Sequence, residues 1–302
     1  MADQFSADSL HELLRRVRHL EIKTRHLSKS MVAGKYYSAF KGKGMSFREV
    51  REYVAGDDVR SIDWNVSART RNPHVKVFEE EREISVMLVV DVSGSTVFGT
   101  ASAPDGRMQL KQEWMAEIAA VLAFSAISNQ DKVGALLFTT EVEQFIPPRK
   151  GRNHVLRIIR ELLHPEAVHP GTNLERAIRH LTNFLKKRSI VFIISDFQQA
   201  PDRYQHALSL ANRRHDVVGI HLYDPIEQSL PEVGLIKVCD PETGIVSTLD
   251  THQKSLRDAY THTFLQRLDA TREAFRKSGA TFTSIRTDSS YLPALMAMFA
   301  SR

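Results

Sequence analysis

Seven consecutive residues, Ile84-Ser85-Val86-Met87-Leu88-Val89-Val90, run without a charge into Asp91-Val92-Ser93-Gly94-Ser95. An apolar run of this length with no polar alternation reads as a strand buried on both faces, the pattern of a parallel sheet covered by helices. The turn after it sends out one carboxylate and two hydroxyls. In open α/β sheets, ligands bind outside the carboxyl ends of the strands. Hard oxygen donors there suit Mg²⁺, Mn²⁺ or Ca²⁺ rather than Zn²⁺.

The chain downstream alternates regularly. A helix is expected at about 107–129, then strands over Val133–Phe138 and Val142–Ile146, then helices at about 153–163 and 173–187. The run Ile190-Val191-Phe192-Ile193-Ile194 is the next buried strand and ends in Ser195-Asp196. A helix at about 202–213, a strand Val217–Leu222, a hairpin across 233–249, a long helix 252–278, a strand Thr281–Ile285 and a short helix complete the pattern. Such alternation predicts a doubly wound, mostly parallel α/β sheet over residues 81–302. Residues 1–80 read differently. Leu10, Leu13, Leu14, Val17, Leu20 and Ile22 predict an amphipathic helix over 9–28, and the Gly-rich, charged stretch 34–78 predicts a small irregular or short-stranded module.

Composition narrows the function. The chain has 302 residues and one cysteine, so no intramolecular disulfide forms, which fits a reducing cytoplasm. Cys239 lies in the apolar run 235–239 and reads as strand packing. No segment has the roughly 18–20 apolar residues of a membrane-spanning helix, and the N-terminal region lacks a signal core. Residues 1–80 hold 15 Lys or Arg against 11 Asp or Glu, four of the +5 net charge. The basic residues are interspersed with acids and not interleaved with aromatics, so a solvated face or a basic surface for an acidic protein fits better than nucleic acid.

Two further segments bring oxygens to the same edge as Asp91. Gly171-Thr172-Asn173 precedes the helix beginning Leu174-Glu175-Arg176-Ala177, and Asp196 ends its own strand. Asp91, Ser93, Ser95, Thr172 and Asp196 therefore form a candidate five-oxygen set. Asp-x-Ser-x-Ser, a distant Thr and a strand-terminal Asp resemble the metal-ion-dependent adhesion site of von Willebrand factor A domains. Asp131-Lys132-Val133-Gly134-Ala135-Leu136-Leu137-Phe138 is similar to that family's second strand with its lead-in. The resemblance implies a divalent cation held by the three hydroxyls, with the aspartates acting directly or through water. It also implies an open position for a carboxylate from a protein partner.

A second resemblance spans most of the chain. The stretch Gly42-Lys43-Gly44-Met45-Ser46-Phe47-Arg48-Glu49-Val50-Arg51-Glu52-Tyr53, then Gly56-Asp57-Asp58-Val59-Arg60-Ser61-Ile62-Asp63-Trp64 and Ser67-Ala68-Arg69, is similar to the signature of the "domain of unknown function fifty-eight" family. Asp224-Pro225-Ile226-Glu227, Leu230-Pro231 and Gly234 match its later landmarks, while Thr96 departs from the usual Met at a position that is not a ligand. This resemblance implies an accessory protein of MoxR-type AAA+ ATPases.

The charged segment 42–69 reads as a buried ion-pair network, with Arg48, Arg51, Arg60 and Arg69 clamping carboxylates and Trp64 packed on the sheet. No nucleophile–base pair is visible in it. The histidines lack metal-ligand spacing, His164 and His169 reading as loop residues, and no phosphate-cradling Gly-Lys-Ser/Thr loop is present. The expectation is a cytoplasmic, non-enzymatic, metal-dependent interaction module. It would hold Mg²⁺, with Mn²⁺ or Ca²⁺ as alternatives, at Asp91, Ser93, Ser95, Thr172 and Asp196. Its partner would be a protein supplying an acidic residue, with a MoxR-type AAA+ ATPase as the candidate, and not nucleic acid. The rival is a Mg²⁺-dependent phosphoryl-transfer or hydrolytic enzyme using the same oxygens.

Overall fold

Strand 85–91 sits in the middle of a six-stranded sheet. The computed structural model describes residue 36 and residues 44–81, 84–100, 108–165, 167, 169, 171–239 and 244–301. The expected helix over 9–28 lies outside the described residues. The described chain forms two compact units, one spanning Phe40–Ile84 and the other containing Ser85–Arg302.

In the first unit, β1 (Gly44–Glu52) pairs antiparallel with β2 (His74–Glu81), and α1 (Trp64–Thr70) lies between them in sequence. Asp63 caps α1, accepting from the Asn65 and Val66 amides, and Asp58 caps the short turn of helix Val59–Ser61. Both carboxylates thus satisfy orphan helix-end N–H groups. Arg51 holds Asp57 through two bonds of 2.8 and 2.7 Å, and Lys76 lies 3.3 Å from Asp63. The acidic residues therefore cap and brace a surface module instead of forming the expected buried network. Its own unit does not bury Trp64, contrary to the packed indole expected from the sequence. It occupies the first position of α1 and is 69% exposed. Trp64→Ala should change stability by no more than about 0.5 kcal/mol, checked by urea unfolding. A loss of several kcal/mol would show that the indole is covered in solution.

The second unit contains β3 (Ser85–Asp91), α2 (Lys111–Ser128), β4 (Lys132–Phe138), β5 (Val142–Arg149), α3 (Arg152–Leu163), α4 (Leu174–Phe184), β6 (Ile190–Ser195), α5 (Gln205–Arg214) and β7 (Asp216–Tyr223). It continues through the short α6 (Pro225–Gln228), β8 (Leu235–Cys239), β9 (Val246–Asp250), α7 (Lys254–Lys277), β10 (Thr281–Arg286) and α8 (Leu292–Ala300). The sheet order is β10-β7-β6-β3-β4-β5, parallel except for the edge strand β5. The doubly wound fold expected from the sequence is present. Chain order reverses between β3 and β6, so the crevice beyond their carboxyl ends is the switch point where such sheets bind ligands.

Each face of the sheet has its own cover. Met87, Val89, Leu136, Val191, Ile193 and Val217 share one cluster with residues of α4, α5 and α7. By the two-residue alternation of a strand, Val86, Leu88, Val90 and Phe192 point to the other face, where α2 packs. Residues 115–126 of α2 are buried all round, five of them alanine, so the helix lies between the sheet and α3 with no solvent face. Hairpin β8–β9 leaves Leu235, Ile245 and Val246 exposed. Cys239 is a strand residue as expected, but it is exposed and not buried in a core.

His215, at the C-terminal end of α5, is buried, and neither ring nitrogen has a hydrogen-bond partner among the described residues. Burial, then the nearby Arg214 and Arg188, holds its pKa below the usual value. The folded state therefore binds fewer protons than the unfolded state, whose histidine titrates near about 6.5. Stability should be full above that pH and fall as the solution is acidified through it toward the lower folded value. Comparing unfolding midpoints between pH 7.5 and 5.5 should show a smaller acid loss in His215→Leu than in wild type. Equal losses would remove His215 as a source.

Candidate functional site

The carboxyl ends of β3 and β6 bring Asp91, Ser93, Ser95 and Asp196 together. Asp91 is the last residue of β3 and fully buried, and Asp196 directly follows β6 and is 2% exposed. Asp91 Oδ1 accepts the Ser93 amide at 3.0 Å, which folds the turn back over the strand end. The Ser93 and Ser95 hydroxyls lie 3.1 Å apart. Thr172 is half-buried on the loop before α4, where Gly171 takes φ +80°. That loop is pinned to the same edge of the sheet: the Asn173 amide donates to the Thr139 carbonyl beyond β4, and the Leu174 amide to Gln199 Oε1 beyond β6.

Three participants went unread in the sequence. Ser195 Oγ donates to Asp91 Oδ2 at 2.7 Å and accepts from the Phe197 amide at 3.0 Å, tying β3 to β6 through a hydroxyl. Lys111, the first residue of α2, is fully buried. Its Nζ donates to Asp196 Oδ2 at 2.9 Å and to Glu227 Oε1 at 2.6 Å. Its spacing was the available signal: Lys111, Met115, Ile118 and Leu122 follow the repeat of a buried helical stripe, where a lysine needs a carboxylate partner. Glu227 belongs to a capping box. Its Oε2 accepts the Asp224 amide, while Asp224 accepts from Ile226, from the Thr100 amide and hydroxyl at 2.7 and 2.5 Å, and from Thr287. The Asp-Pro-Ile-Glu stretch thus builds one wall of the site.

The electrostatics are those of a carboxylate cluster short of positive charge. Burial, with Asp196 nearby, pushes Asp91 up to about 7. Burial would raise Asp196 as well, but the Lys111 ammonium outweighs it and holds that carboxyl below its usual range. Burial raises Glu227 despite Lys111. Asp196 and Glu227 share the Lys111 ammonium, and Asp91 is held by the Ser93 amide and the Ser195 hydroxyl. His221 adds no charge, because burial lowers it to about 4, and its Nδ1 lies 2.7 Å from Ser284 Oγ.

A cation fits this donor set. Asp196 Oδ1 is buried and has no hydrogen bond of good geometry, and the two serine hydroxyls beside it are neutral oxygens. Unpaired buried oxygens of this kind need a partner. Among the described residues no three His, Cys, Asp or Glu side chains form a metal cluster, so a cation here would depend on hydroxyl ligands.

Phe197, next after Asp196, takes φ 47°. For a bulky side chain the left-handed region costs on the order of 1–3 kcal/mol and persists only where packing imposes it. Its ring is held edge-on against Phe275 at 5.4 Å and Phe282 at 5.9 Å. The strained residue thus fixes the direction in which Asp196 leaves the strand.

The family model described as "Protein of unknown function DUF58" matches residues 49–269. An uncharacterized protein of Mycobacterium tuberculosis is 31% identical over 288 residues, covering 95% of this chain and 88% of the relative. An uncharacterized protein in the moxR 3′ region of Paracoccus denitrificans is 40% identical over 60 residues, 20% of this chain and 56% of that one. Among solved structures, an aerotolerance-related membrane protein from Bacteroides fragilis aligns with TM-score 0.49 at 14% identity, covering 72% of this chain and all of that one. The SpRpn10 VWA domain aligns with TM-score 0.39 at 12% identity, covering 73% and 95%. No helix among the described residues is long and apolar enough to cross a membrane.

Proposed function

We propose that this chain, which belongs to the DUF58 family of proteins of unknown function, is a metal-dependent protein-interaction module and not an enzyme. One observation carries the reading. Buried carboxylates and serine hydroxyls converge at the switch point around one lysine ammonium, and one carboxylate oxygen of Asp196 makes no hydrogen bond of good geometry among the described residues. Ser93, Ser95 and Thr172 would hold the cation through hydroxyls, and Asp91 and Asp196 would supply its charge. A divalent ion bound there offers a Lewis-acidic site to an incoming carboxylate. Mg²⁺ suits this all-oxygen set, and Mn²⁺ or Ca²⁺ would also be accepted.

Each residue around the site serves that role. Ser195 and the Ser93 amide hold Asp91 in place from both sides. Lys111 keeps Asp196 ionised through its bond to Oδ2, which leaves Oδ1 outside that bond. The partner would be a protein bearing an exposed Asp or Glu. A MoxR-type AAA+ ATPase is the proposed candidate, supported by the location of the Paracoccus relative in a moxR 3′ region.

Calorimetric titration with Mg²⁺ and with Mn²⁺ should show a single site in wild type, lost in Ser93→Ala and Asp196→Asn and weakened in Thr172→Ala. Wild type without detectable binding at millimolar metal would sink the metal reading. Pull-down of the purified ATPase should fail in excess chelator and with Thr172→Ala. Metal-dependent turnover of generic phosphate or ester substrates, abolished by Asp91→Ala, would replace the module with an enzyme.

A further inference from the structure

A groove of about 340 Å³ opens beside the site, between the β8–β9 hairpin and α7. Leu249, Leu256, Tyr260 and Phe264 give it apolar walls. Its polar groups include Gln198, two residues beyond Asp196, with Glu227, Thr263, Arg267 and the Tyr260 hydroxyl. Glu227 connects the groove to the cluster, because its Oε1 lies 2.6 Å from the same Lys111 Nζ that donates to Asp196.

The charges lining the groove are unequal. Glu227 shares the Lys111 ammonium with Asp196, whereas Arg267 forms no ion pair with any described carboxylate and its guanidinium donates to the amide oxygen of Gln198. A guanidinium has five donors in a planar fork that suits a carboxylate. The floor is aliphatic and aromatic. The volume is at the small end for ligand pockets, enough for one large side chain and its neighbour but not for a folded domain. A phosphate would bring a second negative charge toward Glu227, and an apolar group alone would leave Arg267 without its counter-charge. Arg267 is exposed, so the counter-charge is supplied by choice of partner and not demanded by burial, and an acidic residue beside a large apolar one uses both the fork and the apolar walls.

We propose that the groove receives such a pair from a protein partner, the carboxylate on Arg267 and the apolar side chain among Leu249, Leu256, Tyr260 and Phe264. The inference rests on the reading that this end of the sheet docks a protein, but it does not require the cation. It makes the groove the determinant of which acidic segment is accepted.

The test uses the full chain and three capped peptides, Ac-Gly-Asp-Phe-Gly-NH₂, its Asn-Phe analogue and its Asp-Ala analogue, titrated by amide NMR in EDTA and again in Mg²⁺. The Asp-Phe peptide should bind in EDTA, shifting amides along 256–267. The Asn-Phe and Asp-Ala peptides should bind about tenfold more weakly, as the loss of one charge-assisted contact or one buried ring implies. Arg267→Gln should weaken the Asp-Phe peptide to the level of the Asn-Phe peptide and leave the latter unchanged. Ala259→Trp, on an exposed position of the groove rim, should block both.

Equal binding of the Asp-Phe and Asn-Phe peptides, indifference to Arg267→Gln, or absence of binding at millimolar peptide would overturn the proposal. Binding that appears only in Mg²⁺ and ignores Arg267→Gln would place the peptide on the cation, sinking the groove while sparing the metal reading. Unchanged peptide binding by a protein that shows no Mg²⁺ affinity would do the reverse.

Discussion

Lys111→Met should destabilise the protein by about 3–5 kcal/mol, the range for removing one partner of a buried ion pair. The ammonium is fully buried, and of its two carboxylates Asp196 is 1% exposed at the side chain and Glu227 16%. Methionine matches the stem and deletes the charge, leaving Asp196 and Glu227 close to Asp91 with no cation among them. Urea unfolding measures the loss. Glu227→Gln in the Lys111→Met background should recover part of it, because one uncompensated carboxylate is gone, so the double variant should fall short of the sum of the singles. Millimolar Mg²⁺ should also stabilise the single variant if the site holds a cation, since a ligand bound only by the folded state adds its binding free energy to stability. A loss below about 1 kcal/mol would show that Lys111 is no more consequential than a surface ion pair.

Phe275→Ala should cost about 3–5 kcal/mol, the usual range for truncating a buried phenylalanine. Its ring is fully buried, 5.1 Å from Phe282 and 5.4 Å from Phe197. The ring also occupies the space over Gly219 in β7, where an added Cβ would lie 2.4 Å from it. The variant therefore opens a cavity under the sheet and removes one of the rings that hold Phe197 at φ 47°. Free of that clamp, residue 197 should relax toward ordinary backbone angles and carry Asp196 with it. With the proposed cation at the site, its affinity should fall in Phe275→Ala by more than in Leu162→Ala, a buried truncation on α3. Unfolding curves and calorimetry on the two variants separate these effects. Equal metal affinities would show that Phe197 does not transmit its packing to the site.

Most of this fold was legible in the sequence because parallel strands buried on both faces leave an unambiguous mark. Residues 84–90 and 190–194 have no other comfortable environment than the centre of a covered sheet. The site was legible wherever chemistry coincides with a strand end, at Asp91, Ser93, Ser95 and Asp196. The helical spacing of Lys111 marks it as buried, but its partners were not legible, because they lie 85 and 116 residues away in sequence. Trp64 misled for the opposite reason. A tryptophan inside a dense charge pattern suggests an anchor, yet its position at the first turn of a seven-residue helix turned the indole to solvent. Cys239 misled similarly, since the apolar run 235–239 belongs to a two-stranded hairpin with exposed faces.

The long-range bonds at the switch point also set an order of events during synthesis. Ser195 reaches Asp91 across 104 residues, Lys111 reaches Glu227 across 116, and Thr100 reaches Asp224 across 124. At about 5–20 residues per second, a ribosome leaves the first half of the site waiting for several seconds before its other half exists. Until residues 190–227 emerge, Asp91 and Lys111 lack the partners they have in the finished fold. The buried cluster therefore assembles as one late step, together with the closing of β6 against β3. A chain halted or clipped before that point carries the Asp-x-Ser-x-Ser sequence without the hydroxyl, ammonium and carboxylate contacts that surround it in the complete sheet.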